Sequence, residues 1–196
     1  MRIFVGLDLD PAIRQRIQRF LEGVSPFAPE ARWMRPESLH ITLKFIGEQT
    51  AEQVEAIKHV LSKVEAQGFE IALRGWGFFP TVKAPRVFWI GMDGPPALAG
   101  LAAAIDGATA SLGIPAEERA FSPHLTLARS GRGASGAPGL RKGDGPNPVF
   151  QMLQKRLVQM AEVEFGTMAA REFFLYQSQL GAGGSKYSKL EKFGLL

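Results

Sequence analysis

The sequence predicts an α+β fold: two pseudo-symmetric lobes, each an antiparallel sheet with flanking helices, around a central cleft. Three observations carry this expectation. Sliding the 196-residue chain by 84 positions lays Arg2-Ile3-Phe4 on Arg86-Val87-Phe88, Ile17 on Leu101, Leu21 on Ile105 and His40 on His124. Within each copy, short apolar or alternating runs are followed by stretches of helical periodicity. Apolar residues make up 45% of the chain, enough to fill a core that both copies share. The expected organisation is one bilobal domain over residues 1–196, with an internal repeat of roughly 2–66 and 86–150 and C-terminal strands completing the sheets.

Each element has a local reason. Ile3 to Leu9 is apolar and β-branched, as a buried strand requires, and Asp10 before Pro11 reads as an N-cap with proline at the first helical position. Ile13, Ile17, Phe20 and Leu21 form the buried stripe of that helix. In Leu39 to Ile46, Ile41, Leu43 and Phe45 share one face, while His40, Thr42 and Lys44 share the other. Thr50 and Gln53 have capping-box spacing ahead of a helix on Val54, Ile57, Leu61 and Val64, and Phe69 to Phe79 reads as a strand.

After a short turn at Pro80 to Arg86 the plan repeats. Val87 to Met92 is a strand, and Leu98, Leu101, Ile105, Ala108 and Leu112 form a helical stripe. His124 to Ala128 is the second motif strand, with Leu125 and Leu127 inward and His124 and Thr126 outward. Val149, Leu153, Leu157 and Met160 predict a last helix, and 171–180 with 186–193 a closing hairpin whose turn is GAGGSK. Ser130 to Pro148, rich in Gly and Pro with Arg132, Arg141 and Lys142, predicts a mobile loop: a basic flap beside the second motif, or a variable surface loop.

Composition narrows the chemistry. The chain has no cysteine, so disulfides, thiolate metal sites and a cysteine nucleophile are excluded, and a reducing, cytoplasmic setting fits. A formal charge of +4 favours an anionic partner. No apolar run approaches the ~18 residues a membrane span needs, and acids stand in MRIFVGLDLD where a secretory signal would be apolar.

The sequence SLHITLKF at 38–45 returns as SPHLTLAR at 122–129. Two strands that each present His and Thr away from the core can bring two imidazoles to one cleft. With an ordinary pKa near ~6.5, imidazole serves as base in one copy and acid in the other. Such a pair suits in-line displacement at phosphorus, with Thr42 and Thr126 donating to the non-bridging oxygens. A solitary strand histidine is ordinarily a surface or satisfied polar group; His59, off its helix's apolar stripe, fits that description. A zinc site would need carboxylate ligands that no local spacing supplies. Lys44 either adds positive charge beside His40 or is solvated at the rim, and Trp33, Phe78, Phe121 and Tyr187 either stack a nucleobase or belong to the core.

RIFVGLDL, RWMRPESLHITLKFIGE, FFPTVKAPRVFWIG, AFSPHLTLAR and LYQSQLGAGGSKYSKLEKFGL, in that order, resemble the 2H phosphoesterase superfamily. Within it they resemble the bacterial and archaeal RNA 2′,3′-cyclic phosphodiesterases, also called 2′-5′ RNA ligases. The resemblance implies His40 as proton donor, His124 as proton acceptor, and Thr42 and Thr126 as phosphate-holding hydroxyls, with no cofactor and no metal. It implies a monomer acting on an RNA or nucleotide with a 2′,3′-cyclic phosphate end, and a possible reverse, ATP-independent 2′-5′ ligation. Arg129 resembles the family's phosphate-contacting arginine; strict alternation places it opposite His124, so it reaches the site only where the strand ends or bulges. Two alternatives stay open: a related enzyme acting on other cyclic phosphates or 2′-5′ oligonucleotides, and a non-catalytic nucleotide- or RNA-binding module.

Overall fold

The computed structural model describes the whole chain except residues 132–138 and 182–183. Its strands are β1 (Arg2–Leu7), β2 (Arg32–Trp33), β3 (Ile41–Glu48), β4 (Phe69–Pro80), β5 (Pro85–Asp93), β6 (Leu125–Arg129), β7 (Glu164–Ala170), β8 (Glu172–Gly181) and β9 (Gly184–Gly194). Its helices are α1 (Pro11–Val24), α2 (Ala51–Leu61), α3 (Pro96–Ala110) and α4 (Gln151–Leu157). The strands form two antiparallel sheets, in the orders β3-β1-β8-β9 and β2-β6-β5-β4-β7. Alternation is visible at once in β1, where Ile3, Val5 and Leu7 enter the core and Phe4 takes the opposite face.

The first helix of each copy lies against the other lobe. α1 packs on β7 of the second sheet, where Arg16 Nη1 donates to the Phe165 carbonyl at 3.0 Å and Phe20 meets the Phe165 ring edge-on at 5.2 Å. α3 packs on β3 of the first sheet and on α2. One apolar core therefore runs through both lobes, from Ile3 and Ile41 to Phe88 and Leu125.

The Thr50–Gln53 capping box is present, with Gln53 N–H donating to Thr50 Oγ1 at 3.2 Å and Thr50 N–H to Gln53 Oε1 at 2.8 Å. Several local expectations are corrected. Asp10 offers no side-chain cap to α1. The α3 stripe ends at buried Thr109, whose hydroxyl donates to the Ile105 carbonyl at 2.9 Å, and Leu112 is exposed beyond the helix. β2 is too short for periodicity to show, and β7 reads EFGTMAA, whose inward Phe165, Met168 and Ala170 are interrupted by small residues. Of the expected flap, 132–138 lies outside the described residues. The segment after it is tied down: Arg86 donates to the Gly139 carbonyl at 2.8 Å and meets Asp144 at 3.3 Å, and Asn147 Nδ2 donates to the Pro85 carbonyl at 3.1 Å.

Both motif strands carry the same bulge. Gly6 pairs with Thr42 but Val5 with Lys44, which leaves Leu43 as an extra residue. Trp89 pairs with Thr126 but Phe88 with Ala128, which leaves Leu127 extra. The pairing also shows that β1 and β5 correspond at a shift of 83, one less than the motifs, so Val5 and not Phe4 is the counterpart of Phe88.

The bulge overturns the expectation that Lys44 shares the His40 face. Leu43 and Lys44 both turn inward, each 6% exposed, and Lys44 Nζ donates to Asp106 Oδ1 on α3 and to the Pro115 carbonyl at 3.1 Å. The pair ties the first motif strand to the second copy's helix. The Asp106 carboxylate also accepts from Glu117 N–H, at 3.1 and 3.3 Å, and the Lys44 hydrogen bond holds its pKa below the usual carboxylate value. Lys44→Ala should lower unfolding free energy by about 1 to 3 kcal/mol in denaturant titration, because Asp106 loses its charged donor. An unchanged midpoint would show the pair to be incidental.

Candidate active site

His40 and His124 each stand one residue before their motif strand, and each ring is held the same way. His40 Nδ1 lies 2.8 Å from the Ser38 carbonyl oxygen, and His124 Nδ1 lies 2.8 Å from the Ser122 carbonyl oxygen. A carbonyl has no proton to give, so Nδ1–H is the donor in both rings. The neutral tautomer therefore leaves the Nε2 lone pair for chemistry. The turn that positions the first carbonyl is itself clamped: Arg14 on α1 donates to the Pro36 carbonyl, to the Leu39 carbonyl at 3.3 Å, and to Asp8.

Aromatic rings wall both imidazoles. Phe4 lies 4.5 Å from the His40 ring, Tyr187 meets it edge-on at 4.8 Å, and Tyr176 stands at 5.9 Å. Phe79 meets His124 edge-on at 4.8 Å, with Trp89 at 6.5 Å. Trp89 lies across Gly77, where an added Cβ would come within 2.2 Å of the indole, so only glycine permits that packing. Both histidines and both motif threonines remain partly exposed and can be reached by a ligand.

Burial among these rings lowers the His40 pKa to about 4 and lowers that of His124 as well. The hydrogen bonds to Ser38 and Ser122 oppose this, and the Arg129 guanidinium adds to it at both rings. One cation on the second motif strand thus bears on both imidazoles, which places the two within a single charged neighbourhood. The bulge at Leu127 makes this possible, because Leu127 and Ala128 both turn into the core and Arg129 returns to the face of Thr126. The equivalent bulge in β3 turns Phe45 to the corresponding face, 64% exposed and 6.0 Å from the Phe4 ring.

Arg129 thus stands within electrostatic reach of both His40 and His124, Thr42 and Thr126 are partly exposed two residues beyond the histidines, and Lys44 is turned away to Asp106. Of the aromatics weighed from sequence, Tyr187 borders His40. Phe78 stacks on Phe88 at 5.1 Å, Phe121 packs on the core, and Trp33 meets Phe88 edge-on at 6.0 Å while its indole N–H donates to the Ala28 carbonyl at 2.9 Å. Sequence reasoning missed Phe45, Phe79, Trp89 and the Arg14 clamp. Phe45 was within reach, since the 84-residue shift superposes it on Arg129. His59 is exposed. Among the described residues no three His, Asp or Glu side chains gather closely enough to hold a metal ion, and no helix is long and apolar enough to cross a membrane.

Two sheets that each present a His-x-Thr motif, with one arginine acting on both histidines, define a two-histidine phosphoesterase architecture. The chain belongs to the LigT-like phosphoesterase family, whose model matches it twice, over residues 7–89 and 90–187. An RNA 2′,3′-cyclic phosphodiesterase of Archaeoglobus fulgidus is 33% identical over 98% of this chain and 99% of that protein. The Escherichia coli protein of the same name is 31% identical over 99% and 96%. A crystal structure of E. coli LigT complexed with 3′-AMP superposes with a TM-score of 0.74 at 28% identity, covering 99% of this chain and 97% of that one.

Nitrogen-detected NMR of the unliganded protein at pH 7 should show both motif imidazoles neutral and protonated on Nδ1, with pKa values below 6.5. An Nε2–H tautomer or an imidazolium at that pH would contradict the site as described.

Proposed function

We propose that the protein is an RNA 2′,3′-cyclic phosphodiesterase, opening 2′,3′-cyclic phosphate ends to 2′-phosphomonoesters without a metal ion. The observation that carries this reading is the matched pair of imidazoles, each with Nδ1 tied to a main-chain carbonyl and both under the influence of Arg129. In this mechanism His124 Nε2 takes a proton from water as the water oxygen bonds to phosphorus. The bond from phosphorus to O3′ breaks on the opposite side, and His40 gives its Nε2 proton to that oxygen. Thr42, Thr126 and the Arg129 guanidinium donate to the non-bridging oxygens, whose charge rises in the transition state. The exposed ring of Phe45, next to the Phe4 ring that packs on His40, offers a nucleobase a stacking face. If an RNA 5′-hydroxyl attacks in place of water, the same proton transfers give a 2′-5′ phosphodiester, so ligation needs no further groups. The absence of cysteine fits action in the cytoplasm.

The proposed acid carries a lowered pKa in the empty cleft. A cyclic phosphate brings one negative charge against His40, which favours the imidazolium and reverses part of the burial effect. The donor is thus loaded by the substrate it serves.

Steady-state hydrolysis of a nucleoside 2′,3′-cyclic phosphate, with EDTA present, tests the assignment. His40→Ala and His124→Ala should each lose at least about 1,000-fold in kcat, and the double variant little more, because the two act as a unit. Near-normal turnover in either single variant, or loss of wild-type activity on chelation, would sink the two-histidine reading.

The shifted pKa values also predict a difference between two pH profiles. The kcat/KM profile reports the free enzyme, in which His40 loses its proton at low pH, and kcat reports the complex. The alkaline limb should therefore lie at higher pH in kcat than in kcat/KM. Coincident limbs would mean that bound phosphate does not recharge His40.

A further inference from the structure

Beyond the reacting phosphate, one end of the cleft gathers positive charge that the hydrolytic step does not use. β2 exists as two residues paired to the end of β6, Arg32 opposite Arg129 and Trp33 opposite Ala128. Trp33 packs with Phe88 and Ala128 against the core, so the Arg32–Arg129 row must face the cleft. Arg2 approaches from the other sheet. It alternates with core-facing Ile3, lies on the Phe4 side of β1, and pairs across to Ser178. Burial holds the Arg129 pKa below the usual value against the opposing influence of Tyr187, and Arg2 and Arg32 both add to the lowering.

Like charges set directly opposite on neighbouring strands destabilise a sheet. Arg129 against Arg32 is such a pair, with Arg2 added from the facing lobe. Among the described residues, neither Arg2 nor Arg32 makes an ion pair or a side-chain hydrogen bond. Glu48, which pairs with Arg2 in register, meets the N-terminal ammonium at 3.4 Å instead. Both arginines are exposed, whereas Arg129 is partly covered and acts on both histidines.

We propose that Arg2 and Arg32 form a second anion subsite, one nucleotide along the strand from the reacting phosphate. It takes the phosphodiester on the 5′ side of the terminal nucleoside. This rests on the phosphodiesterase reading and adds a specificity to it: the preferred substrate is the end of an RNA strand, and a lone nucleoside cyclic phosphate fills only half of the charged surface. A guanidinium suits the task because its planar fork meets phosphate oxygens in pairs.

The test compares adenosine 2′,3′-cyclic phosphate with the dinucleotide ApA ending in a 2′,3′-cyclic phosphate, in the wild type and in an Arg2→Gln, Arg32→Gln double variant. The wild type should turn over the dinucleotide with kcat/KM roughly tenfold higher, and the double variant should bring that ratio near one. Turnover of the mononucleoside substrate should stay within about twofold of wild type, and the salt dependence of the dinucleotide rate should flatten. A parallel calorimetric titration compares adenosine 2′-monophosphate with adenosine 2′,5′-bisphosphate; the second phosphate should tighten binding in the wild type and add little in the double variant. A dinucleotide advantage absent from the wild type, or intact in the double variant, overturns the subsite. If the wild type hydrolyses neither substrate, the phosphodiesterase reading fails instead, and the two titrations still decide whether the second phosphate is bound.

Discussion

A single backbone device in each motif strand sets the chemistry of the cleft. In a regular strand alternation would put the residues three and five positions after the histidine together on the core face. The extra residue, Leu43 in one strand and Leu127 in the other, reverses that alternation. Its effect depends on the two residues that come next in each strand. In β6 it turns Ala128 into the core and swings Arg129 to the imidazoles; in β3 it buries Lys44 against Asp106 and swings out Phe45. One duplicated kink thus supplies charge from one wall and an aromatic face from the other. The two halves of the cleft are alike in backbone and unlike in what they present.

Around that frame the site is an electrostatic compromise. Ring walls lower the local dielectric and disfavour imidazolium, while the main-chain carbonyls at Nδ1 favour it. Burial prevails in the empty cleft, so the resting rings are neutral and their orientation is set by a hydrogen bond that survives either protonation state. In the proposed mechanism an anionic substrate then alters the balance at the atom where a proton is needed. Arg129 adds to burial in disfavouring the charged rings, and in the proposed mechanism a phosphate between them makes the same guanidinium a ligand of the transition state.

The spacing of the two rings depends on how the lobes are held. The two sheets do not fold as separate halves: α1 covers the second sheet, α3 the first, and the Lys44–Asp106 pair crosses the same boundary. A continuous core through both lobes resists relative motion far better than a linker would, because separating them would expose apolar surface on both sides. The two imidazoles are positioned by the same packing that folds the chain.

Much of this was legible in the sequence because it is local. The strand and helix periods, the Thr50–Gln53 cap and the outward direction of His40, Thr42, His124 and Thr126 depend on neighbours within a few residues. Lys44 was misread and Arg129 left conditional for one reason: a bulge is a relation between two paired strands, and no spacing within either strand records it. The same holds for the exchange of α1 and α3 between lobes, for the two-residue β2 that sets Arg32 beside Arg129, and for the rings that close on each imidazole. Sequence by itself determined which groups could do the chemistry, because residue type and period are properties of the chain. Tertiary structure alone decided which of them meet, because register and packing exist only once distant segments are in contact.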